Sequence, residues 1–401
     1  MKKNTSTGTF KENKMKPIHR WYPYIEGYSY NFIENEIKHL KGNLKTIYDP
    51  FGGSGTTSLV ASKHNILSFY SETNPVMQFV ANTKINITRQ SLEHWKIISK
   101  EITNLIIEIN EHLPITTNIT FINYEGFEKY YDPYVLETLL FIKKTIKKTC
   151  INKQSLAIAN LALISILVYV SKMVRRSDLR FAKDKEKDES NFFVKEIYLE
   201  KLEEIMNDII FHGSELKQET IKINDDARNA YLNKKVSAVI TSPPYLNGTN
   251  YIRNTKLELK MLDFVLNEKD LATFHSKGIR AGINSVSKRN KQLTILPLVK
   301  DYVSRLEEVT YDSRIPLMIA GYFYDMNSVI NNLSKLIEKD GDFILDIGDS
   351  QFSGIHIPTH QLLSQLAEYN GFKLLEDDII RKRRSYNGME LSQRVLRFKK
   401  I

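Results

Sequence analysis

The chain has 401 residues, 42% of them hydrophobic, enough to bury one large domain and an insertion. A formal net charge of +10 favours a polyanionic partner without requiring one. A single cysteine, Cys150, excludes an intramolecular disulfide and fits a reducing, cytoplasmic compartment.

Taken in chain order, residues 1–16 are polar and basic with no apolar run, and read as a disordered leader rather than a secretory signal. Residues 17–85 begin a doubly wound sheet, with strands expected at 44–48 and 66–70 and a helix between them. Between strand and helix lies Asp49-Pro50-Phe51-Gly52-Gly53-Ser54-Gly55-Thr56-Thr57. Glycines there let the backbone approach a ligand, and the helix N-terminus offers unpaired N–H groups to an anionic part of it. No lysine follows the glycines, which excludes a nucleotide-triphosphate loop of the Walker kind. Glu72, at the end of the second strand, stands where dinucleotide-type folds place an acid on ribose hydroxyls.

From 86 to 218 the periodicity is helical, over 95–113, 134–148, 154–174 and 193–211. Residues 156–170 are apolar apart from Asn160 and Ser165, a run too short to span a membrane comfortably, so it reads as a buried core helix. Lys172, Arg175, Arg176, Arg180 and Lys183 form a basic cluster that is either a solvated loop or a phosphate contact.

The sheet resumes with strands at 219–224 and 236–240. The second leads into Thr241-Ser242-Pro243-Pro244-Tyr245, where two prolines end the strand, remove two donors and leave carbonyls able to accept. Tyr245 offers a π-face, while Ser242 and a proline carbonyl offer acceptors, which together suit a planar heterocycle bearing an amino group. A helix is expected over 256–265, then an irregular basic stretch, 266–315, with His275, Lys277, Arg280, Lys288, Arg289 and Lys291 as a candidate target-recognition region. A helix through Met326, Val329, Ile330 and Leu333 ends near Gly341, followed by a strand at 343–347 and a closing hairpin, 372–380 with 394–398, around Arg381-Lys382-Arg383-Arg384.

The two loops together resemble those of the amino-methylating DNA methyltransferases, which use S-adenosylmethionine. Glu72-Thr73-Asn74-Pro75, Asp226-Ala227-Arg228 and the segment from His19 to Phe32 are similar to further motifs of that family. The resemblance implies an α/β, mostly parallel Rossmann-like sheet with a C-terminal antiparallel hairpin. Residues 17–85 and 219–401 would form the methyltransferase domain, and 86–218 a helical insertion, since a gap of about 190 residues between the loops is too long for structureless chain. It implies cofactor contacts from Tyr24, Phe32, Asp49, Phe51, Gly53, Gly55, Thr56, Glu72 and Asp226, catalysis at Ser242, Pro243, Pro244 and Tyr245, and no metal.

In the enzymes known for C5 methylation of cytosine, the nucleophilic cysteine follows a proline of the substrate loop, whereas Cys150 follows Thr149, so the acceptor is expected to be an exocyclic amine. Ser242 at the head of the Pro-Pro-Tyr loop is similar to cytosine-N4 enzymes; adenine N6 is the alternative, with an RNA or protein amine, or a noncatalytic DNA-binding role, further off. Double-stranded DNA with a flipped base is the expected partner, within a restriction-modification system that would bring a cognate restriction endonuclease. Phosphate contacts are expected from Arg175 and Arg176, and sequence readout from Arg280 and Arg289.

Overall fold

Ile47 and Tyr48 are both fully buried yet belong to different cores, because successive side chains of a strand point to opposite faces. Val239 and Ile240, then Phe343 and Ile344, repeat the division. A sheet whose strands are apolar on both sides must be covered on both sides, which is the parallel arrangement with crossover helices. The computed structural model describes residues 9–40, 44–87, 91–113, 123–176, 178–184, 186–187, 193–247, 249–275, 277–286, 294–385 and 387–401. Residues 1–8 of the expected leader, and Lys288, Arg289 and Lys291, lie outside them.

The central sheet comprises β1 (Thr46–Asp49), β2 (Leu67–Tyr70), β3 (Thr220–Lys222), β4 (Val236–Thr241), β5 (Ile337–Gly348), β6 (Phe372–Arg384) and β7 (Glu390–Lys400). Their spatial order is β6-β7-β5-β4-β1-β2-β3. Pairing is parallel from β3 across to β5, and β7 runs antiparallel to both β5 and β6. This is the mostly parallel, Rossmann-like sheet with a C-terminal hairpin. Helices Tyr30–His39 and Thr56–Lys63 supply the core on one face, and Lys300–Val309, Arg314–Leu336 and Thr359–Tyr369 that on the other.

Helices Leu92–His112, Pro133–Thr149, Lys153–Val170 and Val194–His212 occupy the long gap between β2 and β3. Their starts follow local chemistry: the Ser91 and Asn152 side chains accept from the backbone N–H groups of His94 and Gln154, and Pro133 takes the first position of its helix. Among the described residues Lys153–Val170 is the one helix long and apolar enough to cross a membrane, but 61% of it is buried inside the fold. It serves as the core around which the other three pack.

Three sequence expectations are corrected here. Residues 10–15 form a 3-10 turn that belongs to the fold: Phe10 and Asn13 are buried, and Asn13 donates to the Tyr28 carbonyl and accepts from the Tyr30 N–H. The helix expected to run to 174 stops at Val170, and Met173–Arg175 pairs instead with Leu179–Phe181 as a small antiparallel ribbon. The helix expected to end near Gly341 ends at Leu336 and passes directly into β5 at Ile337.

Candidate active site

β1 is flanked by β2 on one side and β4 on the other, so the chain winds away from it in both directions. In such sheets ligands sit outside the carboxyl ends of the strands at that switch point. The loops after β1 and β4 open there into one cleft of about 430 Å³. Tyr24, Phe51, Gly53, Thr56, Glu72, Asp226, Ser242, Pro243, Pro244 and Tyr245 all line it.

The two loops are held in register from beneath by Asp49, which is 2% exposed and does not line the cleft. Its carboxylate accepts from the Thr57 hydroxyl at 2.8 Å, the Phe51 N–H at 3.1 Å, the Tyr28 hydroxyl at 2.8 Å and the Thr241 hydroxyl at 2.7 Å. Two of those donors belong to the glycine loop and one ends the catalytic strand. Asp49 is therefore a positioning residue rather than the cofactor contact expected from sequence. Phe32 is likewise corrected: it is buried beside Tyr28, with ring centroids 5.2 Å apart, and supports the cleft wall from behind. Gly55 lies behind the loop too, capping Thr56–Lys63 at φ +86°, with Ala81 3.2 Å from where a Cβ would stand.

The glycine loop fits tightly. A Cβ on Gly52 would lie 2.7 Å from the Tyr70 ring, and Gly53 takes the left-handed φ of +49° beside the Tyr24 ring. Glu72 closes this end of the cleft: its two carboxylate oxygens accept from the Gly53 and Asn74 N–H groups, each at 2.8 Å. Each oxygen keeps a lone pair for a further donor, which is what a ribose diol needs. Burial pushes the Glu72 carboxyl up to about 7. Lys84, which sequence reading passed over, is 1% exposed and donates to the carbonyls of Ser54 and His19, bracing the loop from below. A lone lysine in an amphipathic helix gives no sequence signal of that role.

Asp226 also lines the cleft, capping the turn Ala227–Asn229. Its carboxylate is gripped by Arg228, whose Nε and Nη2 donate at 2.9 and 2.8 Å. Arg228 in turn donates to Asp325, 1% exposed, at 3.1 Å. Asp325 is also gripped by Arg280 through Nε at 2.9 Å and Nη2 at 2.6 Å. Arg280 lies so close over Gly321 that a Cβ there would come within 2.8 Å of it. The expected DNA-reading arginine is thus spent on an internal network that fixes Asp226.

Arg175 is corrected in the same way: its side chain is 7% exposed and it donates to Glu258 at 2.5 Å, with the Tyr22 hydroxyl joining the same carboxylate at 2.8 Å. It ties the small ribbon to the helix that follows the catalytic loop. Arg176 is exposed at the rim of the cleft, 3.3 Å from Glu186.

On the catalytic side the Tyr245 hydroxyl accepts from Gln393 Nε2 at 2.9 Å beside the Asp346 carboxylate, and the ring packs on Gly348, where a Cβ would stand 3.3 Å from it. Gln393 also donates to both Asp346 oxygens. Sequence reading missed this pair, which fixes the Tyr245 ring from β5 and β7. Burial pushes the Asp346 carboxyl up to about 7 and the Tyr245 hydroxyl well above its ordinary value. Cys150 lies away from the cleft, buried at the end of Pro133–Thr149, and burial pushes its thiol up to about 11.

A glycine loop after the first strand, an acid ending the second and a Pro-Pro-Tyr loop on the neighbouring strand, all on one cleft, define an S-adenosylmethionine-dependent methyltransferase. No family model matches the chain. It is 26% identical to the type II methyltransferase M.BsoBI of Geobacillus stearothermophilus over 97% of this chain and 85% of that one. It is 25% identical to the type II methyltransferase M.AvaI of Nostoc sp. and of Anabaena variabilis over 91% of this chain and 81% of theirs. Two solved methyltransferases overlay only loosely. One is a SAM-dependent enzyme from Methanosarcina mazei, at 7% identity and TM-score 0.32, covering 91% of this chain and 97% of that one. The other is the rRNA methyltransferase aviRa from Streptomyces viridochromogenes, at 8% and 0.33, covering 97% and 92%. Similarity to the type II methyltransferases runs along nearly the whole chain and is consistent with a DNA methyltransferase that uses S-adenosylmethionine.

Two outcomes are expected. Arg280→Ala leaves Asp325 buried with one partner fewer, so it should cost about 3 kcal/mol of stability and weaken cofactor binding. Thermal melts and calorimetry would show this, with any residual activity keeping the same target site. A carboxylate accepts hydroxyl donors more strongly when ionised, and burial pushes Glu72, the expected ribose acid, up to about 7. If Glu72 holds the ribose, cofactor affinity should therefore fall as pH drops below 7, by at most about tenfold or 1.4 kcal/mol per pH unit. The free fold gains stability from this same group as pH falls from 7 towards its ordinary range. Glu72→Gln should weaken binding and flatten the pH dependence, read by calorimetry from pH 5.5 to 8.

Proposed function

We propose that the protein methylates the exocyclic N4 amine of cytosine in double-stranded DNA, as the cytoplasmic modification enzyme of a restriction-modification system. What carries this reading is that Ser242-Pro243-Pro244-Tyr245 and the glycine loop share one cleft. The full-length similarity to type II methyltransferases supports DNA as the substrate and a cognate restriction endonuclease as a partner. Ser242, rather than Asp or Asn, supports cytosine N4 over adenine N6.

The amine's lone pair is delocalised into its ring and is a poor nucleophile. Ser242 and the Pro243 carbonyl would accept its two N–H bonds and localise the lone pair on nitrogen. Bound S-adenosylmethionine supplies the sulfonium methyl that such an amine attacks. Glu72 and Asp226 would hold the ribose and adenine at the cleft's other end, so the reacting atoms are aligned by two loops that Asp49 keeps in register. Positioning on this scale supplies most of the acceleration. A base paired inside a duplex cannot reach the cleft, so it is flipped out, and Tyr245, anchored at its hydroxyl by Gln393, offers the ring on which it stacks.

Ser242→Ala should lower kcat by roughly ten- to a hundredfold with cofactor affinity kept, since the amine loses one of two aligning acceptors. Cys150→Ala should keep full activity. Nucleoside mass spectrometry of DNA from cells expressing the protein should find N4-methylcytosine. N6-methyladenine would move the acceptor to adenine, and 5-methylcytosine would contradict amine chemistry.

A further inference from the structure

The C-terminal hairpin outruns the sheet. β7 pairs with β5 only from Lys399 opposite Asp342 to Gln393 opposite Gly348, whereas β6 and β7 remain paired on to Arg384 opposite Glu390. The part that projects past the carboxyl edge of β5 therefore hangs over the side of the sheet where the cleft opens. It carries Arg381-Lys382-Arg383-Arg384, all four exposed.

Strand alternation divides these cations. Arg381 and Arg383 fall on one face and line the cleft. Lys382 falls on the other and is paired with Glu390 at 2.7 Å, both side chains more than half exposed. Arg381 stands directly opposite Gln393, the residue whose amide donates to the Tyr245 hydroxyl, so it is one cross-strand neighbour from the anchor of the catalytic loop. Arg383 donates to the Asp349 main-chain carbonyl at 2.9 Å, which aims its guanidinium along the end of β5. Among the described residues neither arginine is ion-paired with a carboxylate. Arg175 and Arg280 by contrast are consumed by internal carboxylates. Two cations at a cleft mouth, neither in ion-pair contact with a carboxylate, repel each other and favour an anion between them.

We infer that Arg381 and Arg383 form a phosphate clamp that grips the DNA backbone beside the nucleotide entering the cleft. This inference rests on the duplex-DNA reading above. Guanidinium forks match phosphate oxygens, and contacts of this kind position the duplex without reading its sequence.

The test is the double variant Arg381→Gln/Arg383→Gln beside Lys382→Gln and wild type, all checked for an unchanged melting temperature and S-adenosylmethionine affinity. On a duplex bearing the target site, the double variant should raise the KM for DNA at least tenfold with kcat little changed. Its salt slope of log binding constant should shrink by about two, because two phosphate contacts are lost. The site preference should stay the same, and Lys382→Gln should match wild type. An unchanged KM and salt slope in the double variant, with wild type active on duplex DNA, overturns the clamp alone. So does a Lys382→Gln variant as impaired as the double. A wild-type protein that neither binds nor methylates duplex DNA overturns the DNA reading and the clamp with it.

Discussion

A single buried carboxylate determines whether this molecule has one site or two unrelated loops. Asp49 ends β1, and its oxygens are satisfied by donors from three separate segments: Tyr28 before the sheet, Phe51 and Thr57 in the glycine loop, and Thr241 at the end of β4. Burial raises its pKa, and those same hydrogen bonds oppose the rise. Charge-assisted bonds in a dry interior are stronger than their neutral counterparts and costly to leave unmade. The adjacency of β1 and β4 brings the two loops near each other, and Asp49 fixes how they face.

The same logic recurs at each end of the cleft. Glu72, Asp346 and Asp325 are all acids buried or half-buried at strand ends or on a covering helix, each satisfied by a specific set of donors. Glu72 has backbone donors and lone pairs to spare, which suits it to a ligand. Asp346 meets Gln393 and Tyr245, and Asp325 meets two arginines, so these acids hold other residues in place. An acid that faces the cleft with capacity left over binds, and one enclosed by side-chain donors positions.

The glycine loop, Glu72 and the Ser-Pro-Pro-Tyr loop were legible in the sequence, because local chemistry dictates them: tight turns need glycine, strand ends need a stop, and both follow short apolar runs, whereas Asp226 was reached through the family resemblance alone. The sheet strands were legible for the same reason, while their boundaries moved wherever tertiary contacts extended them, as in β5 and the hairpin. Charge was the least legible feature. Arg175 and Arg280 count as free cations in the sequence, yet their partners lie 83 and 45 residues away, beyond the reach of any local pattern. Phe10 and Asn13 were hidden for another reason, since two buried positions in a polar stretch make no periodicity. The supporting roles of Asp49, Phe32 and Gly55 depend on which way a side chain or turn faces, which spacing alone does not decide.

The claim that Asp49 couples the two loops is tested most directly by single-turnover methyl transfer in Asp49→Asn at saturating S-adenosylmethionine, with the variant confirmed to be folded. Saturation removes any effect on cofactor affinity, so what remains reports the placement of the catalytic loop against the methyl group. A displacement of about 1 Å costs on the order of a hundredfold, so the rate should fall by at least tenfold. A transfer rate equal to wild type at saturation would contradict the coupling.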